Sequence, residues 1–411
     1  MKRNFLIAQS GGPTAAINAT VAGAVAQAML SDRVGTIYAG VNGIKGVLDG
    51  RLVDLGAQLS SPEAMERFIR TPGAGLGSCR LKLKSLEKDR AQFEQIIEVF
   101  RKFNIGYFVY VGGNDSMDTV AKLSQFVREQ GLDVAVMGAP KTIDNDLCGT
   151  DHTPGFGSAA KYVAATFSEL ACDVAVYDIP AVTIVEVMGR DAGWLTASAA
   201  CARLNGGNKP QLIYLPERPF SDDAFVADVK AELEKDCAVL VAVSEGVRYA
   251  DGTYVSEGTA SGAVDVFGHK YLSGAARALE SLVRERIGCK CRSVELNLMQ
   301  RCAGHILSAT DIEESRQLGA MAAACAVSGT TGRMASVCRL SDKPYTACYG
   351  TTDITEVANL VRSVPDAFIN DAGNNVTDAF IDYAAPLIRG EVAVAYENGI
   401  PAHFVLDREG K

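Results

Sequence analysis

Short apolar runs alternate along the chain with glycine-bearing loops and longer helical segments. Runs that predict strands are FLIAQ (5–9), YFVYV (107–111), VAVMGAP (134–140), VTIVEV within VTIVEVMGRDAG (182–193), QLIYL (211–215) and AVLVAV within AVLVAVSEG (238–246). The first two are followed by helical patterns that end near Leu30 and Gln130, and WLTASAACARL continues the fourth as a predicted helix. Such alternation predicts an α/β protein with mostly parallel sheets.

Charged side chains follow the ends of these predicted strands. They are Asp115, Asp144, Arg190, Glu217 and Glu245. Parallel sheets bind ligands outside the carboxyl ends of their strands, so the pattern predicts one polar site at that edge. The chain is less regular from about Asp342, where KPYTACYGTTD (343–353) predicts a loop.

Composition changes this picture in three ways. With 411 residues and 48% hydrophobic content, two compact domains are expected. The eleven cysteines show no CxxC spacing or disulfide framework, and no secretory signal or membrane-spanning run is evident, so a reduced cytoplasm is expected. A net charge of −9 argues against broad nucleic-acid binding but leaves room for a small anionic ligand.

The segment VGGNDSMDTV (111–120) resembles a phosphate site, with a strand, two glycines and a helix for which Ser116 is the predicted cap. Helix N-termini attract anions because free N–H groups and the positive end of the dipole lie there. Asp115 opposes this attraction. The ligand must therefore be a phosphate compound that tolerates, or is selected by, an acid at this position.

Three other loops carry candidate chemistry, and each has a simpler explanation. SGGPT (10–14) lacks the Walker lysine and the GxGxxG spacing, so it is either a phosphate loop or only a tight turn. PKTIDND (140–146) is either a self-capping turn or a loop that offers a cation and two carboxylates. In MGRDAG (188–193), Arg190 either pairs with Asp191 or faces a transferring phosphoryl group.

These motifs together resemble the phosphofructokinase family, and most of all its pyrophosphate-dependent branch. The matching segments occur in the family's order from Ser10 to about Arg301: SGGP, GSCR, GGNDS, PKTIDND, TPGFGSAA, VEVMGRDAG, SEGV and QR. Looser similarity continues through HILSATD and NNVTDAF. The resemblance implies two three-layer α/β domains with the active site in the cleft between them. The expected boundaries are 1–157 plus about 300–345 for the diphosphate-binding domain, and 158–299 plus about 346–411 for the sugar-phosphate-binding domain.

The resemblance also implies a reaction, namely reversible transfer of a phosphoryl group from pyrophosphate to the 1-hydroxyl of fructose 6-phosphate in glycolysis and gluconeogenesis. Asp144 matches the family's general base, Thr142 a hydroxyl of the same site, and Arg190 the cation that meets the transferring group. Mg²⁺ is the implied cofactor, with Asp146 and Asp115 as candidate ligands. Position 114 is an aspartate in many relatives and is Asn114 here.

On the sugar-phosphate side, the resemblance assigns binding roles to Thr142 and Asp144 and also to Met188, Gly189, Arg190, Glu245, Arg292 and Arg301. Two positions depart from the family pattern: Leu298 replaces a His or Tyr, and Ala181 replaces an arginine. Lys270, Arg277 and His305 are candidates to compensate, although they can equally be surface residues. Some of the family's arginines come from a neighbouring subunit, so a homodimer or homotetramer is expected.

On the donor side, the resemblance assigns diphosphate binding to Gly12, Arg80, Gly113, Asp115 and Lys141. Positions 115 and 141 are typically glycine in the ATP-dependent branch. A carboxylate about 4 Å from another negative charge costs on the order of 4 kcal/mol at an effective dielectric near 20, so Asp115 should repel a nucleotide's α-phosphate. An ATP-dependent enzyme and a non-catalytic sugar-phosphate-binding subunit remain as alternatives. Ala22 and Ala26 stand where nucleotide-regulated relatives carry arginines, so no effector site is expected there.

Overall fold

The computed structural model describes residues 2–176, 178–258 and 274–409, and its strands form two main sheets. In chain order the strands are β1 (Arg3–Gln9), β2 (Val34–Gly40), β3 (Leu52–Asp54), β4 (Ile105–Gly112), β5 (Ala135–Pro140), β6 (Ala181–Val187), β7 (Leu212–Tyr214), β8 (Ala238–Ser244), β9 (Lys290–Glu295), β10 (Arg333–Asp342), β11 (Tyr345–Asp353), β12 (Tyr396–Glu397) and β13 (Ile400–Pro401).

Helices follow most of these strands. They are α1 (Ile17–Met29), α2 (Gly43–Leu48), α3 (Leu55–Gln58), α4 (Pro62–Ile69), α5 (Arg90–Lys102), α6 (Asn114–Glu129), α7 (Phe156–Val174), α8 (Trp194–Ala197), α9 (Asp222–Leu233), α10 (Ala275–Arg286), α11 (Met299–Cys302), α12 (Ala309–Val327) and α13 (Asp378–Ala384). Short 3₁₀ helices span Ser198–Asn205, Val255–Gly258, Ile354–Glu356, Asp366–Phe368 and Ala385–Ile388. No helix of the described ranges is both long enough and apolar enough to cross a bilayer.

The larger sheet has the strand order β11-β10-β5-β4-β1-β2-β3. Its central strands pair in parallel, whereas β3 and β11 join antiparallel at the two edges. Alternate side chains of β1 enter different cores: Phe5 and Ile7 pack in one, and Leu6 in the other. Both faces of a parallel sheet are normally covered by helices, which makes this body three-layered.

The smaller sheet has the order β7-β8-β6-β9 and is parallel throughout. Val185 in β6 faces the core shared with α7, and Ile184 faces the core shared with α10. The predicted α/β class with mostly parallel sheets is therefore confirmed.

Three local predictions differ from the structure. The segment 345–353 predicted as a loop is strand β11, because pairing with β10 organises a sequence that has no continuous apolar run. Helix α6 begins at Asn114 with Gly113 as its cap, so Ser116 lies inside the first turn, where it is buried. After the four-residue helix α8, the helical segment continues as the 3₁₀ helix Ser198–Asn205.

The C-terminal third contributes to both bodies. Strands β10 and β11 extend the larger sheet as far as Asp353, and Leu406 packs in the core of that sheet. Val364, Phe380 and Tyr383 pack instead in the core beside the smaller sheet. The domain boundaries at 157, 299 and 345 stay a prediction, and the sheet membership of β11 favours a first domain that reaches beyond residue 345.

Candidate active site

A polar cleft of about 320 Å³ lies where loops from the two sheets meet. Its walls come from the segments after β1, β4 and β5 of the larger sheet and after β6 and β8 of the smaller one. The lining residues are Gly11, Gly12, Pro13, Thr14, Arg80, Asp115, Lys141, Thr142, Ile143, Asp144, Asp146, Met188, Arg190, Asp191, Ala192, Glu245 and Arg301. The fold thus collects at one place nearly all the charged side chains that follow predicted strands.

The loop after β5 brings two carboxylates into the cleft. The backbone N–H of Asp144 donates to Thr142 Oγ1 at 3.1 Å, and Asn145 between the two acids has a φ of 54°. Removal from bulk water raises the pKa of Asp144, although the positive charges of Lys141 and Arg190 oppose this shift. Burial, with the nearby charge of Asp144, raises the pKa of Asp146 to about 7. Both acids are therefore poised to hold a proton or a cation.

Lys141 is almost fully buried at the start of this loop. Its Nζ donates to the carbonyl oxygen of Gly12 at 2.7 Å. Burial lowers the pKa of Lys141 to about 8, and the carboxylates of Asp144 and Asp146 limit that decrease. A Cβ on Gly11 would lie 3.2 Å from Lys141 Nζ, at a φ of 77°. Glycine at position 11 therefore leaves room for the lysine to reach the turn that resembles a phosphate loop.

The loops after β6 and β8 form the opposite wall. Gly189, with a φ of 141°, donates its N–H to Glu245 Oε1 at 3.3 Å, and Met188 donates its N–H to Gln300 Oε1 at 3.2 Å. Burial raises the pKa of Glu245 to about 8, against the effect of the Gly189 hydrogen bond. A Cβ on Gly246 would lie 2.0 Å from the Arg190 carbonyl oxygen, so Gly246 is needed for the two loops to pack.

Asp115 lies in the first turn of α6 and faces the cleft with a partner that sequence reasoning did not supply. Lys82 Nζ is 2.8 Å from Asp115 Oδ1, and both side chains are about half exposed, at 43% and 46%. The hydrogen bond to Asp115 raises the pKa of Lys82. This ion pair offsets the negative charge of Asp115, so the carboxylate is not the isolated charge that the sequence suggested.

The predicted phosphate-binding arginines are not all in the cleft. Arg301 lines it, and burial together with the nearby charge of Arg80 lowers the pKa of the Arg301 guanidinium. Arg292 is exposed on β9 and does not line the cleft of its own chain. Ala181 is the first residue of β6, at the end of the strand opposite the cleft. A seven-residue strand is about 20 Å long, so a side chain at 181 is remote from this cleft.

Two of the candidates to compensate for these departures, Arg277 and His305, are also outside the cleft. Arg277 pairs with Glu295 on the surface, and His305 and Leu298 are exposed. Lys270 lies outside the described residues. Gly113 and Gly189 do not line the cleft, but their backbones support it: Gly113 caps α6, and the N–H of Gly189 donates to Glu245.

Several cleft residues escaped sequence reasoning. Thr14 and Asp191 lie within motifs that had been noted, next to residues that had been chosen. Buried Gln300 supports the backbone of Met188 from 112 residues further along the chain, and Lys82 pairs across 33 residues. A motif can indicate Thr14, Asp191 and Gln300 by adjacency to chosen residues, whereas only the fold identifies the contacts of Gln300 and Lys82.

The cleft residues suit a divalent cation that is shared with a ligand. Within the described ranges, no group of three or more His, Cys, Asp or Glu side chains is arranged to hold a metal ion without other ligands. Mg²⁺ that bridges phosphates commonly takes only one or two protein carboxylates. Burial is the main cause of the raised pKa values of Asp144 and Asp146, and a cation beside these carboxylates would stabilise their charged forms.

The fold and the cleft together define a class, an α/β enzyme whose cleft combines buried carboxylates with lysine and arginine for a phosphorylated substrate. The chain belongs to the phosphofructokinase family, because the family model described as Phosphofructokinase matches residues 4–326. The family resemblance predicted from the motifs is confirmed.

Individual relatives match over nearly the whole chain. A Halomonas elongata protein named pyrophosphate–fructose 6-phosphate 1-phosphotransferase is 40% identical over 403 residues, which is 97% of this chain and 95% of that protein. A Xanthomonas campestris protein of the same name is 42% identical over 406 residues, covering 98% and 96%. A crystal structure of a pyrophosphate-dependent phosphofructokinase from Marinobacter aquaeolei has a TM-score of 0.87 at 36% identity, covering 100% of this chain and 97% of that one.

Proposed function

We propose that this protein transfers a phosphoryl group reversibly between inorganic pyrophosphate and the 1-hydroxyl of fructose 6-phosphate, with fructose 1,6-bisphosphate and phosphate as products. The observation that carries the proposal is the cleft itself, where Asp144 faces the charges of Lys141 and Arg190 beside Asp115. The names of the similar proteins support pyrophosphate as the donor. Reversibility follows because cleaving a diphosphate releases little more free energy than forming a sugar phosphoester requires.

Asp144 is the proposed general base. It takes the proton from the 1-hydroxyl while that oxygen forms a bond to the terminal phosphorus, the bridging P–O bond breaks, and phosphate leaves. The raised pKa of Asp144 brings its basicity nearer to neutral pH, and Lys141 with Arg190 keeps enough of it ionised. Thr142 helps to orient Asp144 through the 3.1 Å hydrogen bond to its N–H. Arg190 meets the charge on the transferring oxygens.

The proposed donor site uses Gly12, Gly113, Arg80, Lys141 and Asp115. The Lys141 ammonium donates to the Gly12 carbonyl oxygen, so its positive charge lies at the glycine turn where the diphosphate would bind. Asp115, paired with Lys82, lines the same cleft. A nucleotide would have to displace this pair to extend its α-phosphate and nucleoside, whereas inorganic diphosphate would not.

The proposed sugar-phosphate site uses Thr142, Asp144, Met188, Gly189, Arg190, Glu245, Arg292 and Arg301. Glu245, with a pKa of about 8, can both donate to and accept from sugar hydroxyls near neutral pH. Mg²⁺ is the proposed cofactor and would neutralise phosphate oxygens. Asp146 is the better candidate ligand, because Asp115 already accepts a hydrogen bond from Lys82.

Two further observations support a proposal for the oligomeric assembly and the cellular location of the protein. Arg292 is exposed and away from its own cleft, so we propose a homodimer or homotetramer in which Arg292 serves a neighbouring subunit's cleft. All eleven cysteines are free thiols, which suits the reducing cytoplasm.

The test compares donors. Formation of fructose 1,6-bisphosphate from fructose 6-phosphate and Mg²⁺ is measured with pyrophosphate or ATP, in the wild type and in Asp115→Gly with Lys141→Gly. We expect the wild type to use pyrophosphate and not ATP, and the double variant to lose pyrophosphate activity and gain some use of ATP. ATP use by the wild type would contradict the donor assignment, and inactivity with both donors would contradict the reaction.

A further inference from the structure

Residues of the C-terminal part of the chain, outside the cleft, form hydrogen bonds with the loop that carries Asp144 and Asp146. We propose that Tyr383 and Arg362 are positioning residues that hold this loop in the geometry needed for phosphoryl transfer. The inference rests on the proposed function for its kinetic consequences. Both residues lie beyond residues 4–326, the part of the chain that the family model matches.

Tyr383 contacts the loop at two points, Asn145 and Asp151, through one hydroxyl group. The hydroxyl accepts a hydrogen bond from Asn145 Nδ2 at 2.9 Å and donates one to the carbonyl oxygen of Asp151 at 2.8 Å. Asn145 is fully buried, and its Oδ1 accepts from the N–H of Thr153 at 3.0 Å. The amide side chain between the two acids is therefore bonded at both of its ends.

The backbone of Asn145 explains why this tether matters. Its φ of 54° is in the left-handed region, which a non-glycine residue adopts at some energetic cost unless its surroundings favour it. The left-handed residue turns the chain so that Asp144 and Asp146, on either side, both line the cleft. Loss of the Tyr383 bond would let this turn relax and would move both carboxylates.

Arg362 bonds the same loop and shares the Asp151 carbonyl oxygen with Tyr383. Its backbone N–H donates to the carbonyl oxygen of Asp146 at 2.8 Å, and its guanidinium donates to the carbonyl oxygen of Asp151. The guanidinium lies over the ring of Trp194 at 4.3 Å, and Trp194 Nε1 donates to the Arg362 carbonyl oxygen at 2.9 Å. Arg362 is thus itself fixed, which a positioning residue must be.

These contacts are remote from the substrates but act on the base. Neither Tyr383 nor Arg362 lines the cleft. Reacting groups must be placed to within a fraction of an ångström, so a displaced Asp144 lowers turnover more than it lowers substrate binding. Loss of a contact that serves only stability would not lower kcat while leaving KM nearly unchanged.

The test compares two tyrosine-to-phenylalanine variants. Tyr383→Phe removes the tethering hydroxyl. Tyr214→Phe is the matched control, because Tyr214 is equally buried at 7% exposure, its hydroxyl donates to Asp228 at 2.7 Å, and it lies in a core away from the cleft. We expect at least a tenfold fall in kcat for Tyr383→Phe, with the KM values for both substrates within threefold of wild type. Tyr214→Phe should keep kcat within twofold.

A second variant and a second measurement keep the outcome clear. Arg362→Met removes the guanidinium bond and leaves the backbone bond to Asp146, so kcat should fall in the same direction. Hydrogen–deuterium exchange of a peptide covering residues 141–153 should be faster in Tyr383→Phe than in wild type or Tyr214→Phe. Exchange reports the tether even if the wild type lacks the proposed activity, so the two hypotheses can fail separately.

Three results would overturn the inference. They are unchanged exchange of the 141–153 peptide in Tyr383→Phe, a kcat within twofold of wild type for Tyr383→Phe, and an equal fall of kcat in Tyr214→Phe. An unchanged kcat in Arg362→Met would remove Arg362 from the proposal.

Discussion

The two ends of the cleft are built differently. At the proposed donor end, Gly12, Lys141 and Asp115 come from loops of one sheet and are bonded to each other or to Lys82 within a single chain. At the proposed sugar-phosphate end, Met188, Glu245 and Arg301 line the cleft, but Arg292 is exposed elsewhere. In the proposed function, the donor end is therefore formed within one chain, whereas the sugar-phosphate end would take Arg292 from a neighbouring subunit.

The two ends of the cleft also differ in how deeply their side chains are buried. Lys141 is almost fully buried before any ligand arrives, so the donor end is preorganised at the cost of a lowered pKa. The departures at Ala181 and Leu298 lie away from this chain's own cleft, at the far end of β6 and on the exposed surface. Neither residue lines the cleft of this chain, and in the proposed oligomer they would affect only what a neighbouring subunit supplies or receives.

The largest effect should come from Asp144, which both ends share. Asp144→Asn keeps the shape and removes the base, so kcat should fall by about 10²–10⁴-fold, with KM for either substrate changed far less. Steady-state kinetics with both substrates varied would measure this, and circular dichroism would check the fold. A kcat within tenfold of wild type would transfer the role to another residue.

Arg292 tests whether the sugar-phosphate end is completed by a partner. Arg292→Ala should raise KM for fructose 6-phosphate by about 10–100-fold, as expected for loss of a charged hydrogen bond, and leave KM for pyrophosphate nearly unchanged. Lys290→Ala is a matched control, because Lys290 is another exposed base on β9.

Mixing variants makes that test sharper. If Arg292 acts in the partner's cleft, equal amounts of exchanging Asp144→Asn and Arg292→Ala dimers should form mixed dimers with one intact cleft. Under non-saturating sugar phosphate, activity should then reach about a quarter of wild type for random exchange. No recovery, with subunit exchange shown by light scattering of tagged chains, would mean that Arg292 does not act in a neighbouring subunit's cleft.

The buried lysine should make the donor end sensitive to alkaline pH. The pKa of Lys141 is about 8, so its charge is present below that pH and is lost above it. We expect kcat/KM for pyrophosphate, measured with saturating fructose 6-phosphate, to fall by up to about tenfold per pH unit above 8. The corresponding profile for fructose 6-phosphate, with saturating pyrophosphate, should be flatter there.

The smallest expected effect on activity concerns the buried cluster of Asp151, His152 and Glu314, close to the loop that carries Asp144 and Asp146. Burial disfavours the charged form of His152, but hydrogen bonds with Asp151 and Glu314 raise its pKa to about 9. Because the unfolded value is about 6.5, this stabilisation is complete below pH 6.5 and is lost as pH rises through 9.

The loss should reach on the order of 2–3 kcal/mol of unfolding free energy between those pH values. Urea denaturation at pH 6.5 and pH 9 would measure it, with His152→Gln as the variant in which the His152 contribution is absent. An equal pH dependence in both proteins would assign the change to other groups.

The sequence by itself determined the α/β class, the parallel strands and the residues that gather at their carboxyl ends. These properties depend on short-range patterns, since a buried parallel strand is apolar along its whole length and the loop after it carries the polar groups. The order of motifs from Ser10 to Arg301 also determined the family.

Only the tertiary structure decided which side chains meet across long separations. The pairing of Lys82 with Asp115, the support of Met188 by Gln300 and the bond from Tyr383 to Asn145 join residues between 33 and 238 positions apart. Strand β11 is ordered by its neighbour β10, and the position of Arg292 depends on where β9 joins its sheet. No local pattern encodes such contacts, because each depends on how complete elements pack together.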